Sequence, residues 1–150
     1  MDSERINISV VRPQAYTPLY RLDKFCRESA LSTTEYFLIE IRASQINGCA
    51  YCVQMHVKEA IEKGEKQYRI HALSQWEDTP FFTPEEQLIL AMTEQITHIS
   101  AEGLTDDLYA RAISAFGGEK VADIIMTIIN INAWNRIGRA TRMTPQPAQS

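Results

Sequence analysis

A chain of 150 residues, 45% hydrophobic and 23% charged, is long enough for one domain, 1–150, with its own core. A formal net charge of −4 gives no basic patch for nucleic acid. The longest apolar run, residues 124–131, is interrupted by Thr127 and Asn130 and falls short of the ~20 residues that span a bilayer.

The opening MDSERINISV carries Asp2 and Glu4 and no apolar segment, so it does not read as a signal peptide. With an odd count of cysteines, Cys26, Cys49 and Cys52, the chain is unlike a secreted disulfide framework. A cytoplasmic protein is expected, and in a reducing compartment a close cysteine pair is more often catalytic or metal-binding than structural.

Residues 1–15 read as extended, and Pro13 and Pro18 bracket the entry to a first helix over about 17–30. Ser32-Thr33-Thr34-Glu35 has the form of a capping box, which opens a second helix. Asn47-Gly48 ends that helix, because both residues tolerate the left-handed conformation. A third helix starts near Cys49, with Val53, Val57, Ala60 and Ile61 at helical spacing, and stops at Gly64. A shorter one covers about 65–74, and Trp76 to Phe82 reads as a loop.

Thr83-Pro84-Glu85-Glu86 is a second capping box with proline at the first helical position, opening a helix to about Ala101. Thr105-Asp106-Asp107 starts another that ends at Gly117-Gly118, and the last runs from Glu119 to about Arg142. Its centre, ADIIMTIININAW, is apolar nearly all round and is expected to be the buried central helix or a subunit interface. The tail from Thr144 to Ser150 is expected to fray. No long alternation marks a strand, so the fold class is all-α.

The stretch with chemistry in it is QINGCAYCVQMH, residues 45–56. With Cys49 at a helix start, Cys49, Cys52 and His56 share one face. The free amides of that end stabilise an anion, and thiols there or in Cys-X-X-Cys motifs titrate below the ordinary ~8.5. His56 can take a proton from Cys52 or pair with its thiolate. Two thiols one turn apart can close a disulfide, as a dithiol–disulfide cycle requires.

Other readings compete. The cysteines could be core residues, or Cys49, Cys52 and His56 could hold zinc, although that spacing on one helix is unusual for zinc. Haem attachment needs histidine directly after the second cysteine, where Val53 stands. Cys26, His71 and His98 have no partner in sequence. Trp134-Asn135-Arg136 is either an anion or subunit contact or an aromatic anchor at a polar helix end.

The string EIRASQINGCAYCVQMH resembles the core motif of the AhpD-like alkyl hydroperoxidase group of the carboxymuconolactone decarboxylase superfamily. FFTPEEQLILAMTEQIT and ININAWNRIG resemble the helices that follow, so the likeness covers about 15–142. It implies a homo-oligomeric helical bundle of six to seven helices and a thiol-dependent peroxidase or disulfide reductase in antioxidant defence. Catalytic Cys49, Cys52 and His56 would act on a small organic peroxide or a partner protein's disulfide, with an external thiol reductant. No cofactor or metal is expected.

The relay glutamate of that group falls on Phe37 here, and a further relay histidine falls on Tyr51. Glu40, one turn from Phe37, and Glu94 are the acids that could replace it, although each alone reads as a solvated helix carboxylate. A non-catalytic redox sensor and a decarboxylase-type enzyme are the alternative functions. Cys49, nearest the helix end, is expected to be the more accessible thiol, and Cys52 the better deprotonated.

Overall fold

The computed structural model describes residues 5–148, and among these it contains helices and no strand. The order is α1 (Ile8–Val11), α2 (Tyr16–Arg27), α3 (Thr33–Asn47), α4 (Ala50–Glu62), α5 (Gln67–Ala72), α6 (Pro84–Thr97) and α7 (Asp106–Thr141). The all-α expectation holds, and both capping boxes form as read. Ser32 Oγ accepts the Glu35 amide while Glu35 accepts the Ser32 amide, and Thr83 and Glu86 do the same for α6. Gly48 ends α3 in the left-handed region at φ 66°.

Several segments depart from the sequence reading. Residues 5–15 are not extended throughout: the Asn7 side chain accepts the Ser9 amide and starts α1, and Pro13 opens a 3-10 turn over Pro13–Ala15. The expected extended residues 1–4 lie outside the described residues. The expected loop after Trp76 is helical at its start, because α5 runs on into a 3-10 segment over Leu73–Asp78 that buries Leu73 and Trp76. α6 stops at Thr97 rather than near Ala101. α7 is kinked: Gly117 adopts φ 78° and divides it into two helical segments where the Gly-Gly pair suggested.

α3, not α7, is the helix buried on all sides. Tyr36 to Ile41 are buried without a gap, and α3 packs on α4, α6 and α7. One core gathers Phe37, Leu38, Ile41, Leu73, Trp76 and Leu90; the other gathers Ile39, Ala43, Ile89, Ile124, Ile128 and Ile131. α7 instead leaves Ile129 on the surface, so its apolar girdle is only partly covered within one chain. The tail is ordered at least to Gln146, which exchanges two hydrogen bonds with the side chain of Gln54 on α4. The last two residues lie outside the described ones.

Candidate active site

Gly48 turns the chain sharply enough for Cys49 to become the N-cap of α4, its Sγ 3.3 Å from the amide of Cys52 that it accepts. Cys49 and Cys52 form a disulfide across a Cα–Cα distance of 5.3 Å. Both cysteines are buried, so the expected greater accessibility of Cys49 is not found. Asn47 ties this corner down, donating to the side-chain oxygens of Asn132 (3.0 Å) and Asn135 (2.9 Å). Asn135 in turn donates to Ser44 Oγ at 2.9 Å. The asparagines in the apolar helix are therefore latches between α7 and the site.

The disulfide lies directly on the α7 backbone at Gly138. A Cβ there would stand 2.7 Å from Cys49 Sγ and 3.3 Å from Cys52 Sγ. Glycine inside a helix costs about 1 kcal/mol relative to alanine, so its use here follows from space. A Gly138→Ala chain is expected to lose roughly 1–3 kcal/mol of stability in its oxidised form, the usual cost of overpacking. Urea denaturation of the oxidised protein checks this, and an unmoved midpoint would show that the contact is slack.

His56 lies one turn beyond Cys52 and is buried, with Nε2 3.3 Å from Oε2 of Glu40 on α3. The approach lacks hydrogen-bond alignment: among the described residues Glu40 Oε2 and both His56 nitrogens have no hydrogen-bonding partner. Burial pushes the imidazole down to about 4 and the fully buried Glu40 carboxyl well up. The neighbouring charge of Asp23 raises Glu40 further. At neutral pH the imidazole is thus held neutral, and burial favours the protonated form of the acid beside it. The surface carboxylate expected at position 40 is in fact fully buried, whereas Glu94 is engaged by Arg42 and by Trp76 Nε1 (2.8 Å).

Behind this pair stands a network that the sequence did not announce. Asn130 Nδ2 donates to Glu40 Oε1 (3.3 Å) and to Asp23 Oδ1 (3.0 Å), and Tyr36 donates to the same Asp23 oxygen at 2.7 Å. Burial alone would raise Asp23, but the bonds from Tyr36 and Arg27 outweigh it and hold that carboxyl low. Arg27 is shared between Asp23 and Glu59. Only Tyr36 and Glu40, one turn apart on α3, are linked by local spacing; Asp23 and Asn130 come from two other helices.

Two openings reach the disulfide. One is a cavity of about 270 Å³ with Cys52 and His56 in its lining, walled by Tyr16, Tyr20, Tyr51 and Trp134. Trp134 thereby proves to be a wall of this cavity, and Tyr51 its neighbour on α4. Arg136 is exposed and donates within its own helix to Asn132. The other opening is wider and has Cys49 in its lining, between Arg139 and the tail residues Thr144 and Pro145.

Cys26 is buried apart from the pair, and burial pushes its thiol up to about 11. His71 and His98 are exposed. Among the described residues no cluster of three His, Cys, Asp or Glu could hold a metal ion. No helix there is long and apolar enough to cross a membrane.

The sequence model of the carboxymuconolactone decarboxylase family matches residues 13–95. An uncharacterised protein, YdfG of Bacillus subtilis (strain 168), is 36% identical over 138 residues, covering 92% of this chain and 94% of its own. Among solved structures, a protein of unknown function from Agrobacterium tumefaciens, a candidate antioxidant defence protein AhpD, superposes with a TM-score of 0.94. It is 34% identical, over 97% of this chain and 100% of that one. An uncharacterised peroxidase-related protein from Silicibacter sp. TM1040 follows at a TM-score of 0.77 and 26% identity, over 91% of this chain and 71% of that one.

Proposed function

The chain belongs to the carboxymuconolactone decarboxylase family, with an AhpD-like fold, and on that premise we propose that it is a thiol-dependent peroxidase or disulfide reductase of antioxidant defence. The observation that carries this reading is the Cys49–Cys52 disulfide with Cys52 and His56 in the lining of one cavity.

In the reduced protein His56 takes the proton of Cys52, and the thiolate attacks the outer oxygen of a hydroperoxide. The O–O bond breaks, Cys52 becomes a sulfenic acid, and the alkoxide leaves with the proton from His56. Glu40, beside Nε2, supplies or takes up a proton as the imidazole changes charge, in place of the acid missing at Phe37. The Cys49 thiol then displaces water from the sulfenic acid and the disulfide forms. An external thiol attacks Cys49 from the wider opening, Cys52 leaves as the thiolate, and a second donor thiol completes the reduction. The same exchange run in reverse would reduce a partner protein's disulfide.

A decarboxylase acting on a lactone acid needs a cation to hold its carboxylates. Arg27, the cation lining the cavity, is already shared by Glu59 and Asp23, which supports the thiol reading over that one. The proposal extends to a homo-oligomer, supported by the exposed Ile99 and Ile129, and to a cytoplasmic setting, where reduced thiols persist.

The test is a pH titration of thiolate absorbance on the reduced protein, repeated with His56→Ala. A thiolate titrating below ~8.5 that responds to His56 is the expected result. Ordinary thiols indifferent to His56 would reduce the motif to scaffold.

A further inference from the structure

The cavity on the Cys52 side carries more information than a dithiol cycle needs. Tyr16 packs edge-on against Trp134 with ring centroids 5.1 Å apart and against Tyr20 at 5.9 Å. Tyr20 lies tilted on Trp134 at 5.6 Å. These are spacings that aromatic rings adopt with one another. Yet the cluster is unfinished: Tyr20 is 60% exposed, and Tyr16, Tyr51 and Trp134 are only half-buried. Four aromatic side chains therefore surround space that no fifth ring of the described chain fills.

The space has a definite size. A dry apolar cavity of about 150 Å³ admits benzene; this one has about 270 Å³, room for a ring with a short branched substituent. Its charges are accounted for. Arg27 and Asp23 both line it but bind each other, and Arg27 also binds Glu59. A substrate carrying a carboxylate close to its peroxy group would find no unpaired cation in this lining.

Resting on the peroxidase reading above, we propose that the substrate is an uncharged arylalkyl hydroperoxide, its ring against Tyr16, Tyr20 and Trp134 and its peroxy group at Cys52 and His56. The step is balanced as already given. Cys52 gains the outer oxygen as a sulfenic acid, the O–O bond is cleaved, and the arylalkyl alcohol leaves with one proton. A methyl-only analogue loses the ring contacts and keeps the same chemistry, and hydrogen peroxide loses both the ring and the alkyl group.

The experiment follows loss of free thiols in the reduced full chain with cumene hydroperoxide, tert-butyl hydroperoxide and hydrogen peroxide. Cumene hydroperoxide is expected to react at least ~10-fold faster than tert-butyl hydroperoxide at equal low concentration, given the preference that a few ring contacts supply. In Trp134→Leu, and separately in the surface variant Tyr20→Leu, which keeps the fold if Trp134→Leu does not, the ratio of the two rates should fall toward one. Equal rates in the native chain, or a ratio unmoved by Tyr20→Leu, would overturn the aromatic site and leave the peroxidase reading standing. No oxidation by any of the three would overturn the peroxidase reading itself.

Discussion

A Cys52→Ser chain is expected to lose peroxide turnover by more than ~10³-fold, the scale of removing a nucleophile that acts as part of a unit, while Cys49→Ser loses turnover but keeps a single oxidation. The asymmetry follows from the two openings. Cys52 shares the narrower, aromatic cavity with His56, and Cys49 lines the wider one beside Arg139 and Pro145. Without Cys49, one equivalent of peroxide should still convert Cys52 to a sulfenic acid, which waits for a resolving thiol that no longer exists. Mass spectrometry with a sulfenic-acid trap distinguishes the two variants. The assignment would be reversed if the adduct appeared on Cys49 in the Cys52→Ser chain and not on Cys52 in its counterpart.

Replacing Glu40 by glutamine should change how stability depends on acidity. Native Glu40 is raised well above 4.5, so the folded chain holds a proton there that the unfolded chain releases. Native His56 is lowered from 6.5 to about 4, so the unfolded chain holds a proton there that the folded chain refuses. Glu40 alone contributes stability that is complete below its unfolded value and is lost as pH rises through its raised folded value. His56 alone contributes stability that is complete above 6.5 and is lost as pH falls through about 4.

Between pH 6.5 and 4.5 the two slopes oppose each other in the native sequence. Glu40→Gln removes one of them and leaves His56 unopposed, with Asp23, Glu59 and Arg27 unchanged around it. The variant is then expected to lose roughly 2–3 kcal/mol on acidification across that window, and more than the parent loses. Urea denaturation at a series of pH values reads the difference. Parallel curves for the two chains would mean that Glu40 titrates as an ordinary carboxylate.

What could be read in the sequence was whatever local chemistry writes locally. Ser32 with Glu35, and Thr83 with Glu86, announce helix starts because the partners of a capping box are three residues apart. Cys49 at the head of α4 was legible because Asn47-Gly48 leaves the chain few ways to continue. Glu40 was misjudged because a carboxylate between apolar residues looks amphipathic in one dimension. Its burial depends on α3 being enclosed by three other helices, a tertiary fact.

Asp23 and Asn130 were missed for the same reason: the bond that makes each meaningful joins positions 107 apart. The aromatic walls at Tyr16 and Tyr20 lie on a helix whose sequence gives no hint that it faces the thiols. Gly138 could have been suspected, since a glycine inside a helix calls for a reason, but only the sulfur atoms above it supply one.

Cys26 gives the chain a third sulfur, and with it three conceivable pairings. Sealed in the core with a thiol that burial pushes up to about 11, it is a poor nucleophile. In the proposed cycle the connectivity would then be single-valued: each oxidation would return the same bond, with no scrambled isomers for a repair enzyme to sort. A pair insulated in this way would tolerate a spare cysteine, and wear in the proposed cycle would come from overoxidation rather than from mispairing.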